Sequence, residues 1–263
     1  MNERLWILIS AAFAFASTVW TFLPHRPQFH TRRGAQILLG FTFVALTLFL
    51  LKRGEVIHRC PLTNGFEATA FLTWGLIFTY FLIGTSFRLS ILGAFTAPLS
   101  LFLLTLGWFF TKDTHPLLSE PAHWQSEFHA AISVLSYGTL GLASICGGMY
   151  LVQEHHLKTH DFSGWFNRLP SMGDLDSVLH RLLRWGFVLM TLGIISGFST
   201  GLFEQVSKIK IIWAWLVWFW YLILLAVPRL FRLSHRRFAW ASLLGYILVL
   251  LSFWIMNYLL GKN

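Results

Sequence analysis

"SEFHAAISVLSYGTLGLASICGGMYLV", residues 126–152, decides the fold. From Phe128 to Val152 it carries no charged side chain. A helix that crosses a membrane needs about 20 mostly apolar residues, and this run exceeds that. One ionisable ring, His129, stands at its head. Working outward, apolar runs of similar kind recur at about 5–23, 35–51, 67–86, 90–111, 179–202, 210–231 and 238–260. Charged residues are 12% of the chain and the mean hydropathy is +0.61. A soluble domain carries roughly 25% charged residues, so this chain cannot cover a water-facing surface. The expectation is an all-α, polytopic membrane helical bundle of about eight transmembrane helices, a single integral membrane domain over 1–263.

The first run has one early basic residue, Arg4, and an Ala-rich middle, and it is longer than the apolar core of a signal peptide. It reads as a retained helix. The longest piece outside the runs is about 153–178, with room for a short interfacial helix. The stretch "TKDTHPLLSEPAHWQSE", 111–127, loosely divides the first four runs from the last four.

The net charge of +9 would suggest nucleic acid in a soluble protein. In a membrane protein it flanks spans on the cytoplasmic side. Twelve of the twenty Lys and Arg lie in, or within one to two turns of, the loops after runs 1, 3, 5 and 7, with a cluster in "RLFRLSHRRF", 229–238. This bias puts both termini outside. Nucleic acid is not an expected partner; membrane lipid is. The two cysteines, Cys60 and Cys146, sit at different depths, so no internal disulfide is expected, and no CxxC pair is present.

On a helix, His129, Ser133, Ser136, Tyr137, Leu140, Ser144 and Gly147 share one face. This mildly polar stripe should face the bundle interior, where it would bond to neighbouring helices or line a pocket. Three roles are open to His129: a hydrogen bond near the helix start, an axial ligand of haem iron, or a proton relay. Gly193, Gly197 and Gly201 fall along one face, a spacing that lets helices approach closely or admits a flat ligand. Trp213, Trp215, Trp218, Trp220 and Tyr221 suit an interfacial aromatic belt in part; the deeper Trp218 and Trp220 suit packing, or a hydrophobic ligand. His180 and His235 read as interfacial residues among arginines, and His155, His156 and His160 as a solvated helix end. Glu67, at the start of a span, is costly unless hydrated, paired or placed at a helix N-terminus. There is no Ser-His-Asp arrangement, phosphate-cradling loop or pair of carboxylates inside the spans, so no enzyme is expected. A transporter would need a buried charged pair or Pro-broken helices, and neither is read here.

Three segments in order carry a resemblance. "PLTNGFEATAFLTWGLIFTYF", 61–81, resembles the P-L-S-N-x-Y-E-S-x-x-F-L-S-W signature of cytochrome c assembly proteins of the CcsA type. Pro61, Leu62, Asn64, Glu67, Phe71, Leu72 and Trp74 match it. "FHAAISVLSYGTLGLASICGGMYL" resembles the family's helix that opens with His and runs to Ser-Tyr, and "LLRWGFVLMTLGIISG", 182–197, its G-F-P-L-L-T-x-G-I-I-S-G segment. The resemblance covers about 60–260.

It implies a bacterial-type inner (cytoplasmic) membrane protein in haem handling for c-type cytochromes. His129 stands at the position of an external haem-ligating histidine. Ser136, Tyr137 and Glu67 would line or support that site. The family's tryptophan-rich loop, W-G-x-Y-W-x-W-D-P-K-E-x-W, is matched only at Lys210 and Trp213, and Lys208 falls where its aspartate would be. The segment bearing the family's second external histidine has no counterpart after "FWIMNYLLGKN". These departures resemble the smaller HemX-like or YpjD-like branch. The expected function is an accessory factor in haem handling or cytochrome c maturation, with haem as the cofactor. Its partners would be other maturation or haem-synthesis proteins. The alternative is a HemX-like regulator or scaffold without bound haem.

Overall fold

The computed structural model describes residues 3–22, 28–58, 60–62, 64–87, 92–110, 124–159, 171–199, 208–231 and 234–260. Among them all regular structure is helical. In chain order the helices are α1 (Glu3–Phe22), α2 (Gln28–Ile57), α3 (Gly65–Phe87), α4 (Leu92–Phe110), α5 (Trp124–Thr159), α6 (Met172–Ser199), α7 (Lys208–Phe231) and α8 (His235–Leu260). Each coincides with one expected run, and most extend it into a polar flank, as α2, α5 and α6 do at their N-terminal ends. Five contain stretches long and apolar enough to cross a membrane, and α4 and α7 carry shorter ones, Phe95–Phe109 and Ile211–Ala226. At 1.5 Å per residue, α5 is about 54 Å long and outruns a hydrocarbon core of about 30 Å. Both of its polar ends therefore reach beyond the core. The expected interfacial helix falls largely on 160–170, outside the described residues.

The chain packs as two compact units, 1–127 and 128–263, meeting where the sequence loosely divides. In the first, α1 packs on α2, α2 on α3, α3 on α4, and α4 returns to α1. Polar side chains lock the pairs. Ser17 Oγ donates to the Ala35 carbonyl at 2.9 Å, Gln36 Nε2 to Tyr80 Oη at 3.0 Å, and Trp74 Nε1 to Thr47 Oγ1 at 2.9 Å. Large apolar side chains such as Phe15 and Ile37 point outward, as lipid-facing residues should. Without a hydrophobic drive between helices in lipid, close packing and hydrogen bonds of this kind hold them together.

The second unit closes similarly. α5 and α6 run antiparallel with small residues at the seam. A Cβ on Gly186 would lie 2.6 Å from Leu140 Cδ2, and one on Gly193 would lie 2.9 Å from Ser133 Oγ. The two glycines are two helical turns apart, so together they keep α6 against the α5 stripe. Gly193 thus serves helix packing, and Gly201 lies outside the described residues. α7 joins α6 through Trp218 Nε1, which donates to Thr191 Oγ1 at 3.0 Å, and α8 through Trp220 Nε1, which donates to the Ala241 carbonyl at 3.2 Å. The deep indoles are therefore engaged by neighbouring helices. α8 returns to α5, where a Cβ on Gly147 would meet the Ala239 carbonyl oxygen at 3.0 Å.

Candidate functional site

α5 begins at Trp124, so His129 lies in its second turn and caps nothing. Its ring is half-buried and turned to α6. Nδ1 lies 2.7 Å from the carbonyl oxygen of Gly193. A carbonyl only accepts, so Nδ1 carries the proton and donates. Ser196 Oγ lies 3.3 Å from the same nitrogen and donates to the same carbonyl at 2.8 Å. In the neutral ring this leaves Nε2 with its lone pair and without a hydrogen bond among the described residues. An imidazole tied through one nitrogen to a backbone carbonyl is the usual state of a metal-ligating histidine, because the bond fixes the tautomer and the ring plane. The residues present therefore fit one axial ligand of a haem.

The rest of the stripe divides. Ser133 Oγ donates back to the His129 carbonyl at 2.8 Å, and Ser136 Oγ donates across to the Gly186 carbonyl at 2.9 Å. Ser136 thus ties α6 to α5, its proton donated to the backbone. Tyr137 is half-buried and makes no hydrogen bond among the described residues. Trp213 belongs to α7. The antiparallel pairing of Trp218 with Thr191 and of Trp215 with Phe198 brings Trp213 toward the C-terminal end of α6, beyond the Gly193 level at which His129 is bonded. Its indole Nε1 is buried without a partner among the described residues.

Glu67 lies in the first unit. The sequence suggested no buried charged pair, and the structure corrects that. Arg53 Nε and Glu67 Oε1 are 2.7 Å apart, with side chains 2% and 0% exposed. Glu67 is also the third residue of α3, and its backbone N–H donates to Asn64 Oδ1 at 2.8 Å. In a capping box the third residue's carboxylate reaches back to the cap; here it reaches Arg53 instead, tying α2 to α3.

Cys60, between α2 and α3, donates its N–H to Glu127 Oε1 at 2.8 Å. Burial first, then the carboxylates of Glu127 and Glu67, push its thiol up to about 11. Both cysteines are free. At neutral pH Cys60 is therefore a protonated, sluggish thiol. In a Cys146→Ser background its alkylation rate should keep rising through pH 10. A rate that levels off near the ordinary thiol value of about 8.5 would contradict this environment.

The sequence missed one cluster at the opposite end of α5. Asp176 Oδ1 meets His235 Nδ1 at 2.9 Å, and the Asp176 carbonyl meets His180 Nδ1 at 2.9 Å. The His180 ring stacks on Phe238 at 4.1 Å, and Arg236 reaches Glu154 at 3.6 Å. The Asp176–His180 spacing of four on one helix was the only visible signal. The contacts join the ends of α5, α6 and α8. Among the described residues no group of three or more His, Cys, Asp or Glu is placed to hold a metal ion. His160 lies outside them.

Comparison with known proteins agrees with the resemblance. The profile of the family described as cytochrome C assembly protein matches residues 62–262. The cytochrome c biogenesis protein CcsA of Guillardia theta is 27% identical over 260 residues, 89% of this chain and 84% of that protein. CcsA of Chlamydomonas reinhardtii is 30% identical over 172 residues, 62% of this chain and 47% of that protein. Protein HemX of Brevibacillus brevis is 26% identical over 206 residues, 76% of this chain and 75% of that protein.

Proposed function

This chain belongs to the cytochrome c assembly protein family, and from that premise we propose that it is an accessory factor in haem handling for c-type cytochrome maturation. It would act in a bacterial-type inner membrane with both termini outside, beside other maturation or haem-synthesis proteins. It would hold and present haem and catalyse nothing itself. The observation that carries this reading is the 2.7 Å contact of His129 Nδ1 with the Gly193 carbonyl, which readies Nε2 as a ligand. Haem, when bound, supplies the iron and the group that a c-type cytochrome receives. His129 would supply a ligand nitrogen and Trp213 a buried N–H donor. Gly193 and Ser196 hold the imidazole in one tautomer, and Gly186 keeps α6 close enough for them to do so.

A second reading is favoured by the charge at the head of α7. Lys208 is exposed where the resembled loop carries aspartate, and the similarity to HemX spans three quarters of both chains. On that reading the protein is a regulatory or scaffold membrane protein without bound haem. Deleting the gene in its native cells separates the two. The haem-handling reading expects c-type cytochromes, counted by covalently bound haem, to fall and to be restored by the wild type but not by His129→Ala. Intact c-type cytochromes with altered haem synthesis would support the regulator and overturn the first reading.

A further inference from the structure

Three buried hydroxyls in the second unit lack a hydrogen-bond partner among the described residues: Tyr221 Oη, Ser242 Oγ and Tyr246 Oη. Their residues are 0%, 0% and 3% exposed. Ser242 and Tyr246 are four apart on α8 and so share a face. The Tyr221 ring of α7 lies against the intervening Gly245, where an added Cβ would meet Tyr221 Cζ at 3.2 Å. The phenols of Tyr246 and Tyr137 are close enough to act electrostatically on that of Tyr221. α5 and α8 run antiparallel, as the Tyr150–His235 and Gly147–Ala239 contacts require. That pairing carries Tyr137 of α5 to within one helical turn of Tyr246. Tyr221 and Tyr246 each stand near the middle of a helix. This is the depth at which neither headgroups nor bulk water can satisfy a hydroxyl.

One orphaned hydroxyl costs about 1–3 kcal/mol, and three within one helical turn of each other form a set that a shared guest would satisfy. The four residues are neutral, so a charged guest would leave its ion uncompensated at the membrane centre. Every hydroxyl both donates and accepts, which suits a guest that does the same. A buried water makes 2–4 such bonds, and this set offers that number. We propose that Tyr221, Tyr246 and Ser242, with Tyr137 beside them, form a binding site for a small neutral hydrogen-bonding guest at mid-membrane, and that the guest is fixed water.

The sign of a conservative substitution tests this. If the site is hydrated, Tyr221→Phe removes bonds and lowers the melting temperature of the full chain in nanodiscs by about 2–4 °C. Tyr246→Phe does the same, and the two together cost less than their sum because they hold the same guest. If the hydroxyls are dry, removing one relieves an unsatisfied group and the melting temperature rises, which overturns the proposal. Infrared difference spectra in H₂¹⁸O against ordinary water give a second readout. The wild type should show an isotope-sensitive O–H band that weakens in Tyr221→Phe. Ser242→Ala serves where a tyrosine variant does not fold. Destabilised variants with no isotope-sensitive band in the wild type would mean direct bonds between the side chains, and would also overturn it.

Discussion

Arg53→Met lowers the stability of the protein by about 3–5 kcal/mol, the cost of stranding one partner of a buried ion pair. Methionine keeps much of the apolar stem, so the loss reports the charge and not a cavity. Glu67 is fully buried and within a helix that crosses the membrane, where a lone carboxylate has no water to turn to. Glu67→Met strands the guanidinium instead and should cost a similar amount. Arg53→Met with Glu67→Met should recover most of either loss, since apolar side chains of like volume replace buried ion pairs at little cost. Thermal melts of the four proteins in one detergent check this. Single variants within about 1 kcal/mol of the wild type would place the pair in water, where such bridges contribute that little.

His129→Ala should weaken haem binding on the order of 100-fold or more, since even the residues behind a metal ligand contribute 10–100-fold. Nothing in the second unit's packing depends on the ring to the same extent. Ser133 and Ser136 bond backbone carbonyls, and Gly186 and Gly193 hold the α5–α6 seam whether or not the imidazole is present. The variant should therefore fold and span the membrane, which makes the loss of haem specific. Ser196→Ala removes the weaker contact to Nδ1 at 3.3 Å and the hydroxyl's own bond to the Gly193 carbonyl, and should leave most binding in place, because that carbonyl still fixes the tautomer.

All eight helices were legible as apolar runs, because lipid imposes one simple rule on any spanning segment. Their ends were not. α5 was expected over 128–152 and spans Trp124–Thr159, since its polar ends continue the helix beyond the hydrocarbon. α6 was expected from 179 and begins at Met172. There Ser171 Oγ accepts the Asp174 N–H at 3.2 Å and donates to the Asp174 carboxylate at 2.6 Å, a cap that hydropathy does not report. The polar stripe on α5 was legible, and so was its inward direction. The partner of His129 was not, because a backbone carbonyl leaves no mark on side-chain identity. Gly193 betrayed itself only by being small. Arg53 and Glu67 were each visible at the end of a span, but their pairing crosses a turn that only the fold closes. The hydroxyls of Tyr221, Ser242 and Tyr246 were hidden for the same reason, lying on two helices with ordinary apolar neighbours.

The central claim is that His129 presents Nε2 to haem. Its most direct test is the visible absorption spectrum of the purified protein, oxidised and reduced, with haem added, beside His129→Ala. The account predicts a Soret band in the wild type that weakens or shifts in the variant. A flat spectrum from both, or the same Soret band in both, would contradict it.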